Sequence, residues 1–139
     1  MMEGAEERNQ TLRFLQQNFR FANPQARGGF GFRQEEQEGI HRTIAEMGGQ
    51  IGTTVREMHG IMGGAARMGV FQGVRDAKEF QAKLKETVGA LTEIAKTFNT
   101  TLNEAMPMFG EARRQCFWTP QDITRHAQSI RQVKTGDDG

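Results

Sequence analysis

Apolar residues recur every eleven positions through the middle of the chain: Ile40, Ile44 and Met47, then Ile51, Val55 and Met58, then Met62, Ala66 and Gly69. An eleven-residue period is about 3.67 residues per turn, so the stripe runs nearly straight along an α-helix with a slight right-handed drift. The pattern predicts one long helix over residues 34–73. Glu35, Glu36 and Glu38 stand at its start and Arg56, Arg67 and Arg75 toward its end, the order of charge that the helix dipole favours. The same stretch is rich in glycine, and each interior glycine weakens a helix by about 0.5–1 kcal/mol relative to alanine. Such a helix needs partners along its stripe. The predicted helix-packing interface is Ile40, Ile44, Met47, Ile51, Val55, Met58 and Met62, with Gly48, Gly52, Gly60 and Gly64 at four-residue spacing allowing backbones to approach. The methionines suit an adaptable contact. A break is expected between Gly69 and Gly73, where the repeat gives out.

Upstream, Leu12, Leu15 and Phe19 share one face with Phe14 beside them, which predicts an amphipathic helix within residues 1–22. Asn23-Pro24 stops it. The stretch Arg27-Gly28-Gly29-Phe30-Gly31-Phe32-Arg33 has neither helical nor strand period, so residues 23–33 are expected to be a flexible linker. Downstream, residues 74–135 read as a small bundle of three short helices. Asp76 and Glu79 form a capping box for the first, whose stripe of Phe80, Leu84, Val88, Leu91, Ala95 and Phe98 ends at Asn99, a left-handed terminator. Thr101 and Glu104 open the second, which runs to about Gln115 with a bend at Pro107. Thr119, Pro120 and Asp122 open the third, with Ile123, Ala127, Ile130 and Val133 on one face. Phe80, Leu84, Leu91, Phe98, Leu102, Phe109, Phe117, Trp118 and Ile123 are the predicted bundle core, and residues 136–139 a frayed tail.

Composition narrows the class. Tyrosine is absent and β-branched residues are sparse, which removes most of the case for a sheet. The expected fold is all-α: a long Gly/Met-rich helix followed by a small bundle of three short helices. Basic and acidic residues number 18 and 17, leaving a net charge of +1 and no polyanion-binding footprint, so nucleic acid is not the expected partner. No run of apolar residues reaches the roughly eighteen of a spanning helix, and the acidic start is unlike a signal peptide. The single cysteine, Cys116, has no internal disulfide partner; its apolar flank predicts a buried thiol and fits a cytosolic origin.

The chemistry-bearing residues are few. His41, His59 and His126 are scattered, with no pair at i,i+4 around a glutamate, and read as ordinary surface or packing histidines. Cys116 and His126 can meet across a turn but lack the local frame of a thiol enzyme. The glycine stretch lacks the Lys-Ser/Thr of a phosphate loop. No catalytic residue, metal ligand or cofactor is predicted, and the chain is not expected to be an enzyme.

The run Leu91-Thr92-Glu93-Ile94-Ala95-Lys96-Thr97-Phe98-Asn99, then Thr100-Thr101-Leu102-Asn103-Glu104-Ala105, then Phe109-Gly110-Glu111-Ala112-Arg113-Arg114-Gln115-Cys116-Phe117 and Thr119-Pro120-Gln121-Asp122, resembles tail tape measure proteins of long-tailed bacteriophages. The resemblance covers about residues 74–125, and the Gly/Ala/Met-rich helix upstream is similar to the extended portions of the same family. It implies a virion structural protein that self-associates as a homo-oligomer and helps set tail-tube assembly. The partners it implies are the tail tube protein and tail assembly chaperones. The location it implies is the phage tail, after assembly in the bacterial host cytoplasm. At about 1.5 Å per helical residue the whole chain spans about 200 Å, so this role implies a piece of a longer protein or a particle with a short tube.

Two other classes fit the residues. One is a membrane-active helical module for genome or effector delivery, in transient contact with a host membrane. Arg56, Glu57 and Arg67 argue against a stable span. The other is a small nucleic-acid-binding helical protein using Arg27, Arg33, Arg113, Arg114, Arg125 and Arg131.

Overall fold

Short polar side chains set where most of the helices begin. The Oγ1 atoms of Thr54, Thr101 and Thr119 accept the N–H groups of Glu57, Glu104 and Asp122 at 3.1, 3.1 and 3.2 Å, and Asp76 Oδ1 accepts that of Glu79 at 2.8 Å. Each bond satisfies a donor that the first helical turn leaves without a partner. The computed structural model describes residues 2–137, with side chains described for residues 6–26 and 28–132. Among these residues it has six helices: α1 (Met2–Asn18), α2 (Gln34–Ile51), α3 (Val55–Arg67), α4 (Ala77–Phe98), α5 (Leu102–Cys116) and α6 (Pro120–Asp137). A single 3-10 turn spans Arg27–Gly29. The fold is all-α; among the described residues no strand forms beyond an isolated bridge between Ala22 and Phe30. Met1, Asp138 and Gly139, and with them the end of the expected frayed tail, lie outside the described residues, as does the Val133 side chain.

The chain divides into two compact units, Met1–Lys83 and Leu84–Gly139. In the first, α1, α2 and α3 pack on one another. Leu15, Ile40, Ile44, Met58, Ile61, Met62 and Ala65 are all but inaccessible to solvent. Phenylalanines complete this core. The Phe19 ring lies 5.1 Å from Phe32, 5.3 Å from Phe80, 5.9 Å from Phe71 and 6.3 Å from Phe14, while Phe71 and Phe80 stack at 4.7 Å. Ring pairs in such arrangements contribute about 0.5–1.5 kcal/mol each beyond the area they bury.

Three expectations are corrected here. The eleven-residue stripe does not lie on one helix. Gly52, at φ 73°, ends α2, with its N–H and that of Thr53 returning to the carbonyls of Gly49 (3.4 Å) and Gly48 (2.7 Å); Thr54 then restarts the chain as α3. This is a Schellman stop followed at once by a capping box, and two such local signals outweigh a continuous apolar spacing. Residues 23–33 are packed rather than structureless. Phe32 is buried, Gly31 donates to the Phe21 carbonyl at 2.8 Å, and the Asn23 amide donates to the Gly31 carbonyl at 2.9 Å. Finally, Phe80 belongs to the phenylalanine cluster of the first unit, because the division falls inside α4 and not before it.

The second unit holds the rest of α4 with α5 and α6. Leu84, Leu91, Ile94, Ala105, Phe109, Ile123 and Ala127 are buried. The buried Thr97 hydroxyl reaches both the Glu93 carbonyl on its own helix (2.8 Å) and the Ala127 carbonyl on α6 (3.1 Å). Arg131 of α6 pairs with Glu93 of α4. Asn99 takes the left-handed conformation at φ 54°. Two residues of the predicted bundle core face solvent, Phe98 at 43% and Phe117 at 86% exposure, because each stands at the end of a helix whose buried face has already turned away. Leu102 and Trp118 are half-buried, and Cys116 is exposed, not buried.

Candidate functional site

Thr11 lies one helical turn before Leu15 on the buried face of α1 and is itself fully buried. A hydroxyl in that position must find partners or cost stability. Three elements supply them. Thr11 Oγ1 is 3.2 Å from the Glu7 carbonyl on α1, 2.9 Å from His41 Nδ1 on α2 and 2.5 Å from His59 Nε2 on α3. One hydroxyl has one hydrogen, so it donates to at most one of the two rings and at least one imidazole must donate to it.

The proton arrangement follows from the far side of His59. Its Nδ1 is buried and has no hydrogen-bond partner. A neutral ring that donates through Nε2 leaves only a bare lone pair there, whereas an imidazolium places an unsatisfied N–H in the same spot. Burial accordingly holds His59 below the ordinary histidine value, helped by the neighbouring His41 and opposed by Glu7. Burial also lowers His41, with Arg8 adding to the effect and Glu7 and Glu38 opposing it. An ion pair between Arg8 of α1 and Glu38 of α2 lies nearby at the surface. The site is therefore a neutral polar knot tying three helices. Thr11 has no surface through which to meet a substrate in this conformation, so its hydroxyl is not placed as a nucleophile. What the arrangement can do is respond to protons.

Nothing local in the sequence marks this knot, since its members are thirty and eighteen residues apart and sit on three helices. The one available signal was a threonine on the apolar face of the first helix, which requires a polar partner from elsewhere.

The predicted interface residues are spent within the chain itself. Ile40, Ile44, Met47, Gly48, Met58, Met62 and Gly64 are buried in the first unit, Ile51 and Val55 are half-buried, and Gly52 and Gly60 are exposed. Gly48 is a point of close approach: a Cβ there would meet the Thr53 carbonyl oxygen at 2.8 Å and Met58 Cγ at 3.3 Å. Gly60 faces open space. Most of the arginines named for nucleic acid are engaged with carboxylates: Arg33 with Glu36, Arg114 with Glu111, Arg125 with Asp122 and Arg131 with Glu93. Arg113 lies over the Phe109 ring, and the Arg27 side chain is outside the described residues. His126 packs against the Trp118 ring at 4.6 Å.

A surface groove of about 560 Å³ is lined by Leu15, Phe19, Phe30 and Phe32, with Gln16, Arg20 and Gln37 among its polar residues. Among the described residues no helix is long and apolar enough to cross a membrane, and no cluster of three or more histidine, cysteine or carboxylate side chains is placed to hold a metal ion. No protein-family model, curated protein or solved structure matches the chain.

Proposed function

We propose that this chain is a non-catalytic structural protein, a tape-measure-like helical segment of a bacteriophage tail that self-associates and helps set tail-tube assembly. One observation carries the reading. The apolar positions keep their eleven-residue interval across the turn between α2 and α3, with Ile40, Ile51 and Met62 in one series, Ile44 and Val55 in a second and Met47 and Met58 in a third. A helical hairpin needs no such register. If residues 52–54 become helical, the stripe of α2 runs directly into that of α3 and forms one seam of the kind that helices bury against copies of themselves.

On this reading the folded chain is a closed form, in which α2 and α3 cover each other's stripe and α1 covers both. Extension moves Ile40, Ile44, Met47, Met58 and Met62 from contacts within one chain to contacts between chains. Extension gives up the Gly52 turn, the Thr54 cap, worth about 1 kcal/mol, and the shared contact of His41 and His59 with Thr11, since the two rings would stand about 27 Å apart along a continuous helix; burial of the seam between chains must offset these. The partners by resemblance are the tail tube protein and tail assembly chaperones, and the location is the virion tail.

The test is a distance measurement. Spin labels at Arg42 and Arg67, on a chain carrying Cys116→Ser, are about 38 Å apart along a continuous helix. The expected result is a population at that distance which grows with protein concentration together with oligomers in sedimentation. Ile51→Asp, which puts an unpaired charge in the seam, is expected to remove both. A monomer with one shorter distance at every concentration overturns the reading.

A further inference from the structure

We propose that Thr11, His41 and His59 form a proton-operated latch, which holds α1 on α2 and α3 at neutral pH and releases it in mild acid. The inference stands on the geometry of the knot and is independent of the tail reading. Three helices meet on one hydroxyl, and two of the three contacts are titratable rings. The centre of the knot is buried, with Thr11 fully buried and His59 Nδ1 buried without a partner, while His41 and His59 as whole residues are half-buried. A proton arriving on His59 must either sit on that unpartnered atom or break the bond to Thr11. A second proton on His41 places two imidazolium rings around the same oxygen atom.

The charged groups facing the knot are Glu7 and Arg8 from α1 and Glu38 from α2. Arg8 and Glu38 pair with each other, which leaves Glu7 as the compensating charge; it opposes the effect of burial on both rings without outweighing it. The sign follows. Both rings bind protons less readily in the closed form than in the open one, so closure is fully supported above the ordinary histidine value of 6.5 and weakens as the pH falls below it. A tenfold difference in proton affinity between the two forms shifts the opening equilibrium tenfold.

The experiment uses the full chain. Hydrogen exchange of the α1 amides, corrected for the intrinsic pH dependence of exchange, is compared at pH 7.5 and 5.5 for the natural chain and for H41N/H59Q. Asparagine and glutamine put an amide where Nδ1 and Nε2 stood and cannot titrate in this range. The expected result is opening of α1 that rises about tenfold or more in the natural chain and less than about twofold in the double variant. An unchanged α1 in the natural chain at pH 5.5, or a double variant with the full response, overturns the latch. Should the double variant fail to fold, the NMR titration of the natural chain's own rings decides: His59 titrating below 6.5 supports the latch, and His59 titrating at or above 6.5 overturns it. Tryptophan fluorescence is no substitute, because Trp118 lies in the second unit.

Discussion

Glycines that look alike in the sequence differ in what they do. Gly48 permits the tight return of the chain onto Thr53 and Met58, so Gly48→Ala is expected to lower stability by about 1–3 kcal/mol through forced displacement of backbone. Gly60 is a helix-interior glycine with open space around it, and Gly60→Ala is expected to raise stability by about 0.5–1 kcal/mol. Urea denaturation of both variants checks the pair; equal effects of the same sign would refute the distinction. Phe117 is the opposite case. It is highly exposed yet held at φ 56°, the left-handed conformation that costs a side-chain-bearing residue about 1–2 kcal/mol. Phe117→Gly is expected to stabilise the chain by about 1 kcal/mol, and a loss of stability in the same denaturation experiment would show that the ring contributes more than its exposure implies. The glycine count was legible in the sequence. Which glycine was needed was not, because need is set by the atom a Cβ would meet.

Among the elements, the turn between α2 and α3 shows how a local signal defeats a long-range pattern. An apolar stripe favours a continuous helix only if a partner lies along it, whereas a left-handed glycine and a threonine cap act within six residues and need no partner. Thr54→Ala is expected to cost about 1 kcal/mol and to lower the helix signal in circular dichroism as the start of α3 frays; an unchanged midpoint would mean that tertiary packing alone sets the boundary. The cap of α6 adds a pH dependence of its own. Hydrogen bonds from the Thr119 backbone and side chain, then the Arg125 side chain, hold the Asp122 carboxyl below its ordinary value of 3.8. Its contribution to stability is present above that value and is lost as the pH falls through the lower one in the folded chain. Asp122→Asn should therefore flatten the acid limb of a stability profile below pH 4 and leave the histidine region unchanged. A flattened response between pH 5 and 7 would contradict that assignment.

In the whole molecule, two cores form from one modestly apolar chain, of which 36% is hydrophobic. The first depends on phenylalanines gathered from distant segments: Phe14, Phe19 and Phe21, then Phe32, then Phe71 and Phe80. Phe80 touches three of the other rings and is completely buried. Phe80→Ala is expected to cost about 3–5 kcal/mol, read as loss of protection across α1, α2 and α3 in hydrogen exchange. Protection retained there would move Phe80 out of the first core. The same gathering explains why residues 23–33 are ordered: Phe32 is drawn into the cluster, and the glycines around it let the backbone bend toward Phe19 and Phe21.

By itself the sequence determined the all-helical class, the stops at Asn99 and near Gly69, and the starts of α4, α5 and α6. The class rests on helical apolar spacing, the starts on side chains that accept a backbone N–H three residues on, and the stops on residues that take the left-handed conformation, and all of these act locally. Tertiary structure decided where the apolar faces went. It packed α2 and α3 on each other once the local stop at Gly52 had turned the chain, it took Phe80 from the expected bundle, and it left Phe98 and Phe117 in solvent. It also brought Thr11, His41 and His59 to one point. A period states that a face must be covered but not by what, and a buried hydroxyl states that it needs a partner but not which; both answers come from residues far along the chain.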